Sequence, residues 1–178
     1  MRAPGPSSWT ISARDGSPFT TALYVREAFG LGVAPDIPRL TPPVPFLEEL
    51  AADPVDWDAW WDAICAAGPE IAFVAPPTGP DLFLAYEQVL RNVSVWANRE
   101  RRHPDPRSPD ALDPTRMVRA LEQSLGRRAS FSFFVDALPV TGDWHRDVSP
   151  TWVLVSTDVW LDARRLIPLL EERVRPLI

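Results

Sequence analysis

The sequence contains no lysine, and all 18 of its basic residues are arginine. Without a lysine ammonium group the chain cannot form the Schiff base of a pyridoxal-phosphate enzyme. It also cannot build a phosphate-binding loop of the Gly-Lys-Ser/Thr type. Asparagine and glutamine are scarce, whereas proline occurs 21 times. This bias favours codon usage in a GC-rich genome, rather than function, as the reason for the missing lysine.

Cysteine is almost as rare, because Cys65 is the only one in 178 residues. An internal disulfide is therefore excluded, which favours the reducing cytoplasm. The N-terminus lacks the apolar stretch of a signal peptide, and no apolar run is long enough to cross a bilayer. We therefore expect a cytoplasmic protein with no membrane partner, folded as a single domain over residues 1–178.

Acidic and basic residues are separated along the chain. Residues 41–90 carry nine acidic residues and no arginine, whereas residues 91–128 carry nine arginines against five acids. One interpretation is that the two stretches pack together and neutralise each other. The other is an acidic surface that attracts a basic partner. The isoelectric point near 4.9 makes a nucleic-acid partner unlikely.

The first 45 residues predict a β-hairpin followed by an extended connection. Ser8–Arg14 alternates apolar and polar residues, residues 19–25 are rich in Thr, Leu, Tyr and Val, and Asp15-Gly16 between them is a strong turn signal. Residues 35–45 carry five prolines, which exclude a helix and predict a strap across the domain.

Helices are predicted for most of the middle of the chain. Asp53-Pro54 is a helix start, and the helix should run to Gly68. A short apolar run over 70–75 could be a strand, and Pro80-Asp81 begins a long helix that ends near Arg99. Asp113-Pro114 begins another helix, with an apolar stripe and a terminal Gly126; the stripe comprises Met117, Val118, Leu121 and Leu125.

The C-terminal third predicts two strands and an interrupted helix. Ser130–Leu138 and residues 151–159 are β-rich, with a twelve-residue polar loop between them. Residues 162–178 are amphipathic, and Pro168 should interrupt that helix. The predicted fold is therefore α+β: the N-terminal hairpin and the two C-terminal strands form an antiparallel sheet packed against about four helices.

The loop over residues 141–149 holds the densest cluster of reactive side chains. His145 could act as a general base, with Asp143 or Asp147 orienting it and Trp144 beside it. Alternate residues of an extended segment point in opposite directions, however, so these groups need not converge. A solvated connection between strands explains the same residues.

No metal site or cofactor is predicted. The only histidines are His103 and His145, and with Cys65 they fall short of a zinc ligand set. The Gly30-Leu31-Gly32 fragment of a dinucleotide fingerprint has Pro35 where the third glycine belongs. Cys65 lies on the apolar face of a tryptophan-rich helix, which predicts a buried, inert thiol.

Eight tryptophans make the chain unusually rich in this residue. Trp57 and Trp61 share a helical face and should belong to the core. Trp60 lies among Asp56, Asp58 and Asp62, so it is either an exposed partner anchor or a bridge to a second packed element.

These observations favour a non-enzymatic cytoplasmic protein-interaction module, comparable to an antidote or accessory subunit. It would bind a basic protein through the acidic, tryptophan-bearing helix over residues 57–62. The candidate binding residues are Trp57, Asp58, Trp60, Trp61, Asp62, Trp144, Arg99 and Arg102. Two alternatives remain: a small enzyme or ligand binder with His145, Asp143 and Asp147 as its catalytic residues, and a subunit of a homo-oligomer.

Overall fold

The computed structural model describes residues 8–47, 56–71, 74–75, 91–93 and 114–178. The four strands in these ranges are β1 (Ser8–Arg14), β2 (Ser130–Leu138), β3 (His145–Ser149) and β4 (Trp152–Ser156). The named helices are α1 (Ser17–Ala28), α2 (Trp57–Ala67), α3 (Pro114–Leu125), α4 (Thr157–Trp160) and α5 (Ala163–Val174), followed by the 3-10 turn Arg175–Leu177. Residues 91–93 also have helical backbone.

The strands form one mixed sheet with the order β1-β2-β4-β3. Strands β1 and β4 run parallel to β2, and only β3 is antiparallel to its neighbour β4. The predicted mixture of helices and strands is confirmed, but the prediction of an antiparallel sheet is wrong. More than 100 residues separate β1 from β2, and a crossover of that length allows parallel pairing, whereas a hairpin does not.

The predicted N-terminal hairpin is also wrong, because Asp15-Gly16 leads from β1 into helix α1. Gly16 has φ 57° and ψ 32°, and the backbone N–H of Ser17 donates to Asp15 Oδ1 at 3.2 Å. Residues 19–25 belong to this helix and are all buried. A helix that is buried on every side shows no amphipathic period, so its sequence cannot be distinguished from a buried strand by pattern.

Helices cover both faces of the sheet and create two cores. In β4, Trp152 and Leu154 point into a first core with α1 and α2. Val153 and Val155 point to the opposite face, into a second core with α3 and α5. The described part of the chain is therefore a three-layer α/β/α sandwich, in which the sheet is the shared middle layer.

The ends of α2 and α3 depend on local signals. Helix α2 begins at Trp57, and its N-cap is Asp56, whose Oδ1 accepts the N–H of Ala59 at 3.1 Å. The predicted start at Asp53-Pro54 lies outside the described residues. Helix α3 begins at Pro114 and is followed by Gly126 with φ 64°, as predicted.

Three C-terminal predictions require correction. The run over residues 151–159 divides into β4 and α4, because Ser156 Oγ accepts the N–H of Val159 at 3.2 Å and begins a helix. The supposed loop over 141–149 contains strand β3. Helix α5 continues through Pro168, which is exposed, while Leu166 and Leu170 anchor the helix in the second core.

The proline-rich strap, residues 35–45, is held against α1. The Arg26 guanidinium donates to the carbonyl oxygens of Ala34, Ile37 and Pro38 at 3.2, 3.0 and 2.8 Å. Glu27 Oε1 accepts the N–H of Leu40 at 2.6 Å.

Of the run over residues 70–75, positions 70, 71, 74 and 75 are described and form no strand. Within the described ranges, no helix combines the length and the apolar character needed to cross a membrane.

Candidate interaction surface

The three tryptophans of α2 are buried, with exposed fractions of 1 to 3%. Trp57 Nε1 donates to the carbonyl oxygen of Ala22 at 2.7 Å, and Trp60 Nε1 donates to that of Val74 at 2.9 Å. Of the two interpretations of Trp60, the exposed anchor is wrong, and the structure agrees with the bridge to a second packed element. The helix packs against α1 on one side and against the chain near Val74 on another, so it buries consecutive tryptophans.

An aromatic cluster fixes α2 to the rest of the fold. The rings of Trp57 and Trp61 stack with centroids 5.0 Å apart, and Phe19 of α1 lies 4.8 Å from Trp61. Among the described residues, the buried Trp61 Nε1 has no hydrogen-bond partner, so this indole contributes through the contacts of its ring. Aromatic pairs of this kind add about 0.5–1.5 kcal/mol each beyond area burial. Helix α2 is therefore held rigidly.

The outer surface of α2 consists of carboxylates and alanines. Asp58 and Asp62 are one turn apart and exposed, and the neighbouring Ala59, Ala63 and Ala66 are exposed as well. We call these five residues the acidic α2 face. Within the described ranges, no arginine lies within ion-pairing distance of either carboxylate. The alanine side chains are short, so the carboxylates are open to a partner.

Trp144 and Arg146 lie at the side of α2. Trp144 is half-buried, and its Nε1 donates to the backbone oxygen of Asp36 at 3.2 Å. The Arg146 guanidinium lies 5.9 Å from the ring centroid of Trp61, and its Nη1 is 3.5 Å from Asp36 Oδ2. The nearest cation on strand β3 is therefore engaged by Asp36 and by an aromatic ring.

Cys65 faces the same region and is a poor nucleophile. Burial raises the pKa of the Cys65 thiol, the positive charge of Arg146 partly offsets this, and the carboxylate of Asp62 raises it further. The sequence predicted a buried thiol, but Cys65 is only half-buried. A raised pKa leaves little thiolate at neutral pH, so the expectation of low reactivity is supported.

Among the described residues, no hydrogen bond joins His145 to Asp143 or Asp147, the carboxylates predicted to orient it. His145 and Asp147 are exposed on β3, and Asp143 is exposed just before it. The carboxylate of Asp147 is occupied, because Arg173 of α5 donates Nε to Oδ1 at 2.5 Å and Nη2 to Oδ2 at 3.1 Å. In the described part of the chain, no three His, Cys, Asp or Glu side chains are grouped as metal ligands. Arg99 and Arg102 lie outside the described residues.

Sequence reasoning missed a buried ionic network between β1 and β2. Arg14 donates Nε and Nη2 to the two carboxylate oxygens of Asp136, at 2.8 and 2.5 Å. Trp152 Nε1 donates to Asp136 Oδ2 at 2.8 Å, and the guanidinium lies over the rings of Phe134 and Trp152. The available signal was a single aspartate in the second half of the strand SFSFFVDAL, where its neighbours are apolar. A buried carboxylate there requires a partner, but the sequence does not show where that partner lies.

The described residues define a structural class: an α/β/α sandwich with a mixed four-stranded sheet and an acidic outer helix. Comparison with models of known protein families, with curated proteins and with solved structures found no match.

Proposed function

We propose that the protein is a non-enzymatic interaction module that binds a basic protein surface through the acidic α2 face. The observation that carries this proposal is the division of α2 into two sides. Its tryptophans are buried and hydrogen-bonded or stacked, while Asp58 and Asp62 are exposed without a cationic partner among the described residues. The tryptophans of α2 therefore hold the helix in place and do not contact a partner themselves.

Rigidity is the first argument for binding. A helix held by aromatic packing and by indole N–H bonds to Ala22 and Val74 presents its outer side chains in a fixed arrangement. Little conformational entropy is then lost when a partner docks. The tryptophans contribute by positioning the carboxylates.

Charge is the second argument, because it selects the partner. Two exposed carboxylates without an ion-pair partner among the described residues attract arginine and lysine side chains and speed up association with a basic surface. They repel nucleic-acid phosphates. Several described arginines are already paired elsewhere in the fold: Arg14 with Asp136, Arg128 with Glu122 and Arg173 with Asp147. Of these arginines, only Arg128 belongs to the arginine-rich stretch 91–128, and its partner Glu122 lies in the same stretch and not in α2.

The test begins with capture of partners from the lysate of the protein's own host, followed by measurement of the dissociation constant of the recovered complex. The double variant Asp58→Asn, Asp62→Asn removes both charges and keeps the side-chain shape. We expect the dissociation constant to rise by roughly tenfold or more, since each factor of ten corresponds to about 1.4 kcal/mol. The wild-type affinity should also fall as ionic strength rises.

The matched control is Glu171→Gln, Glu172→Gln on α5, which removes the same charge from the opposite layer. It should leave the dissociation constant within about twofold of the wild-type value, since distant charges are screened. Equal weakening by both double variants, or weakening by neither, would refute the assignment of the acidic α2 face.

A further inference from the structure

The two edges of the sheet are built differently. Strand β3 forms one edge and β1 forms the other. An edge strand has unpaired backbone groups, and proteins protect such strands with charge, proline, bulges or short length. Comparison of the two edges shows which one is open to another strand.

The β3 edge carries several protective features. It has only five residues, and four of them are polar or charged and exposed: His145, Arg146, Asp147 and Ser149. Its pairing with β4 shifts register between Asp147 and Ser149. An added strand would meet charged side chains and an irregular backbone here.

The β1 edge has none of these features. It has seven residues in unbroken register with β2, and its sequence SWTISAR contains neither proline nor glycine. Its only charged side chain, Arg14, is paired with Asp136 of the neighbouring strand. A long, regular edge whose single charge is paired within its own sheet is the type that accepts another strand.

The hydrogen-bond pattern shows which backbone groups face outward. The N–H of Ser8 donates to the carbonyl oxygen of Ala129 at 3.0 Å, in line with β2. In a strand, the N–H and C=O groups of one residue point to one side, and those of the next residue point to the other. The backbone groups of Thr10, Ser12 and Arg14 therefore also face β2. The N–H and C=O groups of Trp9, Ile11 and Ala13 therefore face away from β2, and no other strand among the described residues pairs with them.

We propose that β1 pairs antiparallel with β1 of a second copy, about a twofold axis at Ile11. In this register Ile11 faces its own equivalent, and Trp9 of each copy faces Ala13 of the other. Both outward backbone groups of all three residues are then paired, and a single sheet runs through both copies. A twofold contact needs a self-complementary surface, and rotation about Ile11 provides one by placing the large Trp9 of each copy opposite the small Ala13 of the other.

Side-chain chemistry supports this register. The large Trp9 faces the small Ala13, while the β-branched Ile11 pair lies on the axis and favours strand pairing. Arg14 faces Ser8 of the other copy, so no like charges are opposed. The partner is therefore a second copy of this chain, and this contact does not involve the acidic α2 face.

The experiment is a mass measurement of the purified full chain by light scattering at micromolar concentration. We expect a dimer of twice the 19.9 kDa chain mass. Ala13→Pro removes one outward N–H without touching the ladder to β2, and edge strands tolerate proline at such positions. This variant should shift the mass to that of the monomer, whereas Ala13→Thr, which keeps the N–H, should remain dimeric.

A monomeric wild-type protein, or an Ala13→Pro protein that is as dimeric as the wild type, would overturn the proposal. If Ala13→Pro fails to fold, amide exchange of the wild-type protein decides instead. The amides of Trp9, Ile11 and Ala13 should exchange more slowly as concentration rises, whereas those of Thr10 and Ser12 keep their rates. Rapid exchange of the outward amides at every concentration would refute the pairing. Neither readout depends on the partner bound by α2.

Discussion

Asp136 is a carboxylate buried within the central sheet. Its side chain is 1% exposed in the middle of the sheet, where an isolated carboxylate would be strongly destabilising. Two bonds from Arg14 and one from Trp152 satisfy it. Buried pairs of this kind add little net stability, but removal of one partner is costly because the other is left uncompensated.

Asp136→Asn should therefore lower the free energy of unfolding by about 1–3 kcal/mol, because the Arg14 guanidinium loses its counterion but, being 28% exposed, keeps part of its hydration. Urea denaturation monitored by circular dichroism measures the change. Glu171→Gln is the control, since it breaks an exposed pair with Arg175 and should cost less than about 1 kcal/mol. Equal losses in the two variants would contradict a structural role for the buried network.

Trp60 shows why a residue's neighbours in sequence do not determine its exposure. Asp56, Asp58 and Asp62 are exposed as their charge requires, yet Trp60 between them is 1% exposed. Its indole reaches the carbonyl oxygen of Val74, fourteen residues away. A helical position is exposed only when no other element packs there.

At the scale of elements, the junction between β1 and α1 depends on Gly16. Its φ of 57° is in the left-handed region, and a Cβ there would lie 2.4 Å from Leu138 Cδ2 and 3.4 Å from the backbone oxygen of Ala137. The strand-to-helix turn thus requires both an unusual conformation and a close approach to β2. Glycine meets both requirements.

Gly16→Ala should lower the free energy of unfolding by about 2–4 kcal/mol, the sum of left-handed strain and a steric clash. Gly126→Ala separates the two effects, because Gly126 also has positive φ (64°) but no atom within 4 Å of the added Cβ. That variant should cost only about 1 kcal/mol. Thermal or urea unfolding compares them, and a Gly126→Ala loss as large as that of Gly16→Ala would rule out the steric contribution.

Strand direction is also decided at the element scale. Asp15-Gly16 predicted a hairpin, but the residues after it are buried in α1, and β1 instead pairs with β2 in parallel, with Ser8 aligned to Ser130. Strand β3 was missed because its sequence HRDVS is largely polar. An edge strand exposed on both sides lacks the alternation that reveals a half-buried strand.

For the whole molecule, the central sheet joins the two cores. Adjacent residues of β4 belong to different cores, Trp152 and Leu154 to the first, Val153 and Val155 to the second. Loss of either helical layer would expose one face of the same strand. The two cores should therefore unfold together.

We accordingly expect a single cooperative unfolding transition. Tryptophan fluorescence reports mainly on the first core, which holds Trp57, Trp60, Trp61 and Trp152, and far-ultraviolet circular dichroism reports on all helices. Midpoints from the two probes should coincide within error in urea, and the denaturant slope should be the same. Separate midpoints would mean that one helical layer unfolds independently of the sheet.

The sequence by itself determined the features that depend on nearby residues: the start of α3 at Pro114 and its end before Gly126, strands β1 and β2, and the core positions of Trp57 and Trp61. Capping, proline geometry and residue alternation act within a few positions, so they can be read locally. The tertiary structure alone decided the strand directions, the burial of Trp60 and the pairing of Arg14 with Asp136, which are 122 residues apart. These outcomes depend on which distant segments pack together, and no local pattern encodes that choice.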